Sequence, residues 1–443
     1  MMQHIKGTRK VLNAWALYDW ANSVYSLVIA STIFPIYYGV LFEQKQINTI
    51  EVFGITFIST ALITFVTALA FLIVAFMSPL LSGIADFIGN KKVFMQFFCF
   101  LGAFSCIGLH WFSLEHIYLS LFFYLFSLIG FWGSLVFYNS YLPDIAYPEQ
   151  QDSISAKGYS LGYVGSVVLL LINLVMIMGA EGEKAMQMMR ISFVMVGIWW
   201  IGFAQYSFYI LPKGNKNKGK ITSRVFFKGF NELLQVKNKL SETPKLKTYL
   251  VAFFVYSMAV QTVMIVATYF GEQEIQWNEG EKSTGLIISI LVIQIIAVMG
   301  AFLTSRLSAK IGNIPTLIII NVVWIFICVV AYFISLPIHF YLVAGLVGMV
   351  MGGIQSLSRS TYSKFLPQTQ DTTSFFSFYD VAEKIGIVVG MGLYGFIIQL
   401  TGSMRNAIVF LAVFFIVGVV LLLRVLKVKE TPITNNENSE RLV

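Results

Sequence analysis

The chain reads as an all-α integral membrane protein, with twelve transmembrane helices in two pseudo-symmetric six-helix bundles. Three observations predict this class: scarce charge, twelve apolar runs of spanning length, and short echoes between the two halves. Of 443 residues, 57% are hydrophobic and only 12% are charged, and the mean hydropathy is +0.76. A soluble domain carries roughly 25% charged residues to keep its surface wet. A chain this poor in charge needs lipid as its solvent. Its 40 Phe, 21 Tyr and 8 Trp suit the meeting of acyl chains and headgroups.

A helix needs about 20 mainly apolar residues to cross the hydrocarbon core. Such runs occur near 16–41, 54–81, 93–111, 117–138, 159–180 and 191–211, then near 248–271, 284–304, 314–335, 339–358, 375–400 and 404–426. The organisation is therefore a bundle over 1–211, a basic linker over 212–247, a second bundle over 248–429 and a polar tail over 430–443. The linker opens on the basic run 213–220, and 225–240 has the pattern of a short amphipathic surface helix.

Lys and Arg collect in loops on the cytoplasmic side. With the N-terminus inside, 24 of the 30 basic residues fall in inner segments and 5 in outer ones, with Lys384 inside a span. Both termini are expected in the cytoplasm, in the inner membrane if the chain is bacterial. The net charge of +8 follows this topology, so membrane lipid accounts for it and nucleic acid does not. Cys99, Cys106 and Cys328 lie in apolar runs and form no metal or disulfide pattern.

Ile88-Gly89-Asn90 recurs as Ile311-Gly312-Asn313, and Leu142-Pro143 recurs as Leu366-Pro367. Both pairs occupy matching inner loops at nearly one offset, which favours duplicated halves of the parallel-repeat kind found in the major facilitator fold. The stretch Ser82 to Lys92 resembles that superfamily's inner-loop signature, an acid followed three residues on by Gly and then by basic residues. Gly89 permits the turn, Asp86 is suited to a neighbouring helix N-terminus, and Lys91 and Lys92 are suited to acids across the interface between halves. Such contacts bias an alternating-access equilibrium. Ser82, Gly83 and Phe87 depart from the usual pattern.

Three longer stretches carry a closer resemblance: Trp15 to Tyr25; Phe137 to Asp144 with Lys157 to Tyr163; and Gly352 to Ser360 with Phe375 to Asp380. They resemble the vacuole-effluxer-like family of major facilitators, whose bacterial members form what is called the unknown major facilitator group. The resemblance implies proton-linked or facilitated export of small solutes, with amino acids the usual suggestion. The helix-7 stretch Tyr256 to Thr262 lacks the acid often present in relatives, which puts any coupling through that acid in doubt.

Ionisable groups inside spans are expensive, so each one is a functional hypothesis. Asp19, Asn22, Ser23 and Ser26 form one polar stripe at helical spacing and should face the bundle interior. Matching stripes are Tyr124, Ser127, Ser134, Tyr138 and Asn139 in the fourth run, and Ser257, Gln261 and Thr268 in the seventh. The tenth run offers Gly348, Gly352, Gln355, Arg359 and Tyr362. Substrate or coupling-ion candidates are Asp19, Asn22, Ser23, Ser26, Tyr138, Asn139, Ser257, Gln261 and Gln355. With the first helix starting near Asn13, Asp19 stands about 9 Å along it, so proton coupling, substrate-amine contact, an inner-gate ion pair and a solvated end all stay open. Gate candidates are Asp86, Gly89, Lys91, Lys92, Asp144, Arg359, Asp380, Glu383 and Lys384. Asp380 and Lys384 are spaced i, i+4 for pairing, which leaves Glu383 for Arg359.

Two enzyme motifs fall away. Gly158 to Gly162 matches G-x-S-x-G but opens a membrane helix without a histidine base, and Gly214 to Lys220 lacks the magnesium-binding hydroxyl of a phosphate loop. The expected function is secondary or facilitated transport of a small polar solute, with amino-acid-like export by a monomer the leading reading; no cofactor is expected, and proton coupling stays open. A lipid translocase and a nontransporting sensor or assembly partner are the alternatives.

Overall fold

The computed structural model describes residues 6–214, 234–236, 238–240, 242–278 and 281–428. Twelve helices among them are long and apolar enough to span a bilayer. In the first half these are α1 (Arg9–Lys45), α2 (Ser59–Ile88), α3 (Lys91–Trp111), α4 (Ile117–Ile145), α5 (Pro148–Met178) and α6 (Gly182–Ile210). The second half has α7 (Pro244–Glu274), α8 (Lys282–Ile311), α9 (Asn313–Phe333), α10 (Pro337–Phe365), α11 (Thr372–Thr401) and α12 (Met404–Lys427). The end of the bundle where α1 begins is called the near end below, and the opposite one the far end.

Each half has its own apolar core of buried aliphatic and aromatic side chains. The halves meet through α5 against α8 and α10, and through α2 and α4 against α11. The pairings of α2 with α11 and of α5 with α8 exchange under a two-fold swap of the halves, as a duplicated bundle requires. Gly89 closes α2 in the left-handed region at φ 71°, and its amide returns to the Ala85 carbonyl at 2.9 Å. A side chain there would strain the turn, so the glycine read from the motif serves the α2–α3 connection.

Several boundaries differ from the apolar runs. Helix α1 starts at Arg9, because its first turns carry basic and polar side chains that hydropathy discounts while the backbone is already helical. Asp19 is therefore about 15 Å along the axis rather than about 9 Å, well inside the membrane-spanning length. Residues Tyr25–Ile33 of α1 form a π-helix. The seventh helix begins at Pro244, inside the stretch read as linker, with proline in the first turn where no intrahelical N–H is needed. A hairpin of β1 (Thr49–Val52) and β2 (Ile55–Ile58) joins α1 to α2 at the far end. Most of 213–220, most of the expected surface helix at 225–240 and the tail at 430–443 lie outside the described residues; 234–236 and 238–240 are helical.

Candidate functional site

Helix α1 can approach α5 closely because α5 presents glycines to it. A Cβ added at Gly158 would collide with the Asp19 carboxylate, one at Gly162 would meet the Ser23 hydroxyl, and one at Gly165 would stand 2.9 Å from the Trp20 carbonyl. Small residues let membrane helices pack backbone to backbone. The polar stripe of α1 therefore faces the bundle interior, packed against α5 of its own half. Ser23 bonds Asn22 at 3.3 Å, Ser26 bonds the Ser23 carbonyl at 2.9 Å, and Asn22 is buried. Gly348 and Gly352 also serve packing, lying against Ile293 and Ala297 of α8.

Held in that crevice, Asp19 reaches across to the second half. Its Oδ2 accepts the Tyr138 hydroxyl at 2.7 Å and both terminal nitrogens of Arg359 at 3.3 Å. Arg359 also donates to the Ser155 hydroxyl at 3.0 Å, the Ser155 carbonyl at 3.1 Å and the Asn139 side chain at 3.2 Å. Its guanidinium lies 4.2 Å from the Tyr159 ring centroid and 4.7 Å from that of Trp15. The Trp15 indole N–H is in turn bonded to the Tyr138 carbonyl at 2.9 Å. The pair is thus buried, ringed by aromatics and supplied with hydrogen bonds, the conditions under which a buried ion pair offsets its desolvation.

A second charged centre stands on α11. Lys384 donates to Asp380 at 2.6 Å, as the i, i+4 spacing allows, and to Glu383 at 3.0 Å. Its ammonium sits 3.9 Å from the Trp132 ring of α4, and Ser78 of α2 donates to Asp380 at 3.3 Å. Glu383 also accepts Gln261 at 2.7 Å. The pairing of Glu383 with Arg359 expected from sequence is absent, because Asp19 takes the arginine and Lys384 takes the glutamate.

Nearer the end, Asp86 accepts the backbone N–H groups of Thr373 at 3.3 Å and Ser374 at 2.7 Å, so it caps the N-terminus of α11 from the other half. Lys91 bonds Asp144 and the Ser140 carbonyl, both at 2.7 Å, and reaches α11 only through the Thr372 hydroxyl at 2.9 Å. Its acidic partner is within its own half, contrary to the sequence expectation. Lys92 is buried against the Leu211 carbonyl at 2.8 Å, and among the described residues it makes no hydrogen bond or ion pair across the interface. Reasoning from sequence missed Asp152, which opens α5 and binds Lys364 at 2.6 Å, with Ser308 and Asn313 at 3.0 Å. Its signal was present: Asp152, Ser155, Tyr159 and Gly162 fall on one face of a helix whose glycines already marked it as tightly packed.

Between the two charged centres lies a narrow cleft with a free volume of about 20 Å³, room for little more than a water-sized group while the halves are closed. Ser257 and Gln261 of α7, Gln355 of α10, Glu383 of α11 and Tyr159 of α5 line it, with Phe253, Tyr256 and Tyr379 as aromatic walls. Tyr163 donates to Gln355 at 2.6 Å and closes one side from the first half. Among the described residues, the hydrogen bonds and ion pairs that join the halves run from the near end to this level, and none joins them at the far end.

The profile of the family described as "Vacuole effluxer Atg22 like" matches residues 7–431. The chain belongs to the vacuole effluxer Atg22-like family. An MFS-type transporter of Bacillus subtilis, YxiO, is 30% identical over 98% of this chain and 99% of its own length. Autophagy-related protein 22 of Eremothecium gossypii is 25% identical over 60% of this chain, which spans about half, 54%, of that fungal relative. Solved structures agree in fold: a double-Trp variant of XylE superposes with a TM-score of 0.71 at 12% identity, covering 95% and 96% of the two chains. A variant of the E. coli fucose:proton symporter FucP gives 0.68 at 15% identity, covering 95% and 98%. This Atg22-like chain is a multi-pass major facilitator transporter, and its relatives are carriers, not enzymes.

Proposed function

We propose that this chain exports a small polar, amino-acid-like solute by alternating access, with the near end facing the cytoplasm and the monomer as the working unit. The sidedness rests on the inner segments, to which the sequence assigns 24 of 30 Lys and Arg residues, Arg359 of the buried pair among them. The observation that carries the transport reading is the Asp19–Arg359 pair, which bridges α1 and α10 directly beside the polar cleft. With Asp86, Lys91 and Asp152 it forms a near-end gate whose contacts exist only while the halves are closed there. Asp380 and Lys384 tie α11 to α2 and α4 at the level of the cleft. Ser257, Gln261 and Gln355 supply the uncharged polar groups that a solute meets. Tyr138 and Asn139 serve the gate by holding Asp19 and Arg359.

The test is counterflow in liposomes containing the purified chain, using an amino-acid panel with and without a pH gradient. Exchange of at least one amino acid, lost in Asp19→Asn, is the expected result. Failure across the whole panel sinks the amino-acid reading, and flux indifferent to the pH gradient removes proton coupling.

A further inference from the structure

We infer that the cleft beside Glu383 is a site for a cationic amine, recognised through its ammonium group and offering no partner to a carboxylate. The inference rests on the transport reading only in taking this cleft as the solute's path. Among the described residues, five charged side chains stand in the centre between the halves. Asp19, Asp380 and Glu383 face Arg359 and Lys384, so acids exceed bases by one.

The two cations have no donor to spare. A guanidinium has five N–H groups, and Arg359 makes five hydrogen bonds: Nε to the Ser155 hydroxyl, Nη1 to Asp19 and Asn139, and Nη2 to Asp19 and the Ser155 carbonyl. Lys384 has three donors; two are on Asp380 and Glu383, and its ammonium lies against the Trp132 ring. An incoming carboxylate therefore meets no free cation, and entering would add a second uncompensated negative charge in a poorly hydrated place.

The acids do have capacity. Each carboxylate oxygen accepts two hydrogen bonds. Glu383 Oε1 takes Gln261 and Oε2 takes Lys384, which leaves acceptor sites on both. Glu383 is also the accessible acid of the three, with 19% of its side chain exposed against 6% for Asp19 and Asp380. It lines the cleft beside Tyr159, Tyr379 and Phe253. The last two rings stack on each other at 4.0 Å and, with Tyr159, form an aromatic wall against which the hydrocarbon body of a cation can rest. Charge, spare acceptors and aromatic walls all ask for one organic cation.

The experiment is equilibrium binding to the purified full chain in detergent, read by titration calorimetry. Three matched probes are used: leucinamide, a cation; leucine, a zwitterion; and N-acetyl-leucine, an anion. Leucinamide should bind at least about tenfold more tightly than N-acetyl-leucine, as loss of one charge-assisted hydrogen bond implies. Glu383→Gln should weaken leucinamide by about tenfold, and Glu383→Asp should restore part of it. The comparison among probes uses the unaltered chain, so it survives a variant that fails to fold. Absence of leucinamide binding, N-acetyl-leucine binding as tightly, or a Glu383→Gln chain that binds leucinamide like the wild type would each overturn the inference. The last outcome would mean that a proton, rather than an amine, balances the centre. Leucine exchange that N-acetyl-leucine inhibits and leucinamide does not would leave the transport reading standing and this inference fallen. Leucinamide binding without any exchange would do the reverse.

Discussion

The Asp19 carboxylate meets both terminal nitrogens of Arg359 at 3.3 Å, although 340 residues separate them in sequence. Breaking a buried pair by removing one partner costs about 3–5 kcal/mol, because the other charge is left uncompensated. Asp19→Asn should therefore lower the unfolding midpoint of the purified protein more than the double variant Asp19→Asn with Arg359→Met, which removes both charges. Strictly additive losses in a double-mutant cycle would show that the two side chains do not interact.

The glycines of α5 set the distance from which Asp19 works. A methyl group at Gly158 would collide with the Asp19 carboxylate, and it would also stand 3.1 Å from the Arg359 guanidinium and 3.2 Å from the Tyr138 hydroxyl. Gly158→Ala should force α1 and α5 apart and abolish exchange. Gly39, in the same α1, has open space around the same construction. Gly39→Ala is the control and should transport like the wild type; equal behaviour of the two variants would refute the packing argument.

The Asp86 cap on α11 predicts a local change. Hydrogen bonds to a charged group contribute about 1.5–3 kcal/mol, so losing the charge in Asp86→Asn should speed hydrogen exchange at the Thr373 and Ser374 amides by roughly tenfold or more. Protection elsewhere in α11 should stay the same. Unchanged exchange at these two amides would show that the cap does not hold the near end closed.

Adjacent lysines should separate gating from folding. Lys91 joins the α3 start to Asp144, Ser140 and Thr372, whereas among the described residues Lys92 binds Leu211 in its own half. In a chain whose three cysteines are replaced, maleimide should label Ser140→Cys faster when Lys91→Gln is added. Lys92→Gln should leave labelling unchanged and lower stability by about 1 kcal/mol, the net worth of one hydrogen bond. Equal acceleration by both changes would return Lys92 to the gate.

The twelve spans were legible because lipid acts on each helix separately: an apolar run of sufficient length crosses, whatever its neighbours do. The start of α1 was not, since Arg9, Lys10 and Asn13 lower the local hydropathy without breaking the helix. That displacement moved Asp19 deeper into the membrane-spanning length. The Asp380–Lys384 pair was also legible, being four residues apart on one helix. Asp86 was marked by its motif, but its partners were not, because backbone amides 287 and 288 residues away carry no local sign. Asp152 shows the converse: a helical face was readable, while its meeting with Lys364 depended on how α5 packs on α10.

Sequence by itself determined what one helix can settle with its solvent: the number of spans, their order in two halves, and the side on which positive charge collects. Tertiary structure alone decided which charge faces which. Ion pairing falls off within a few ångströms, and those distances are set by glycine contacts and ring packing between segments hundreds of residues apart. Arg359 turned from Glu383 to Asp19 for that reason, leaving the glutamate on the cleft.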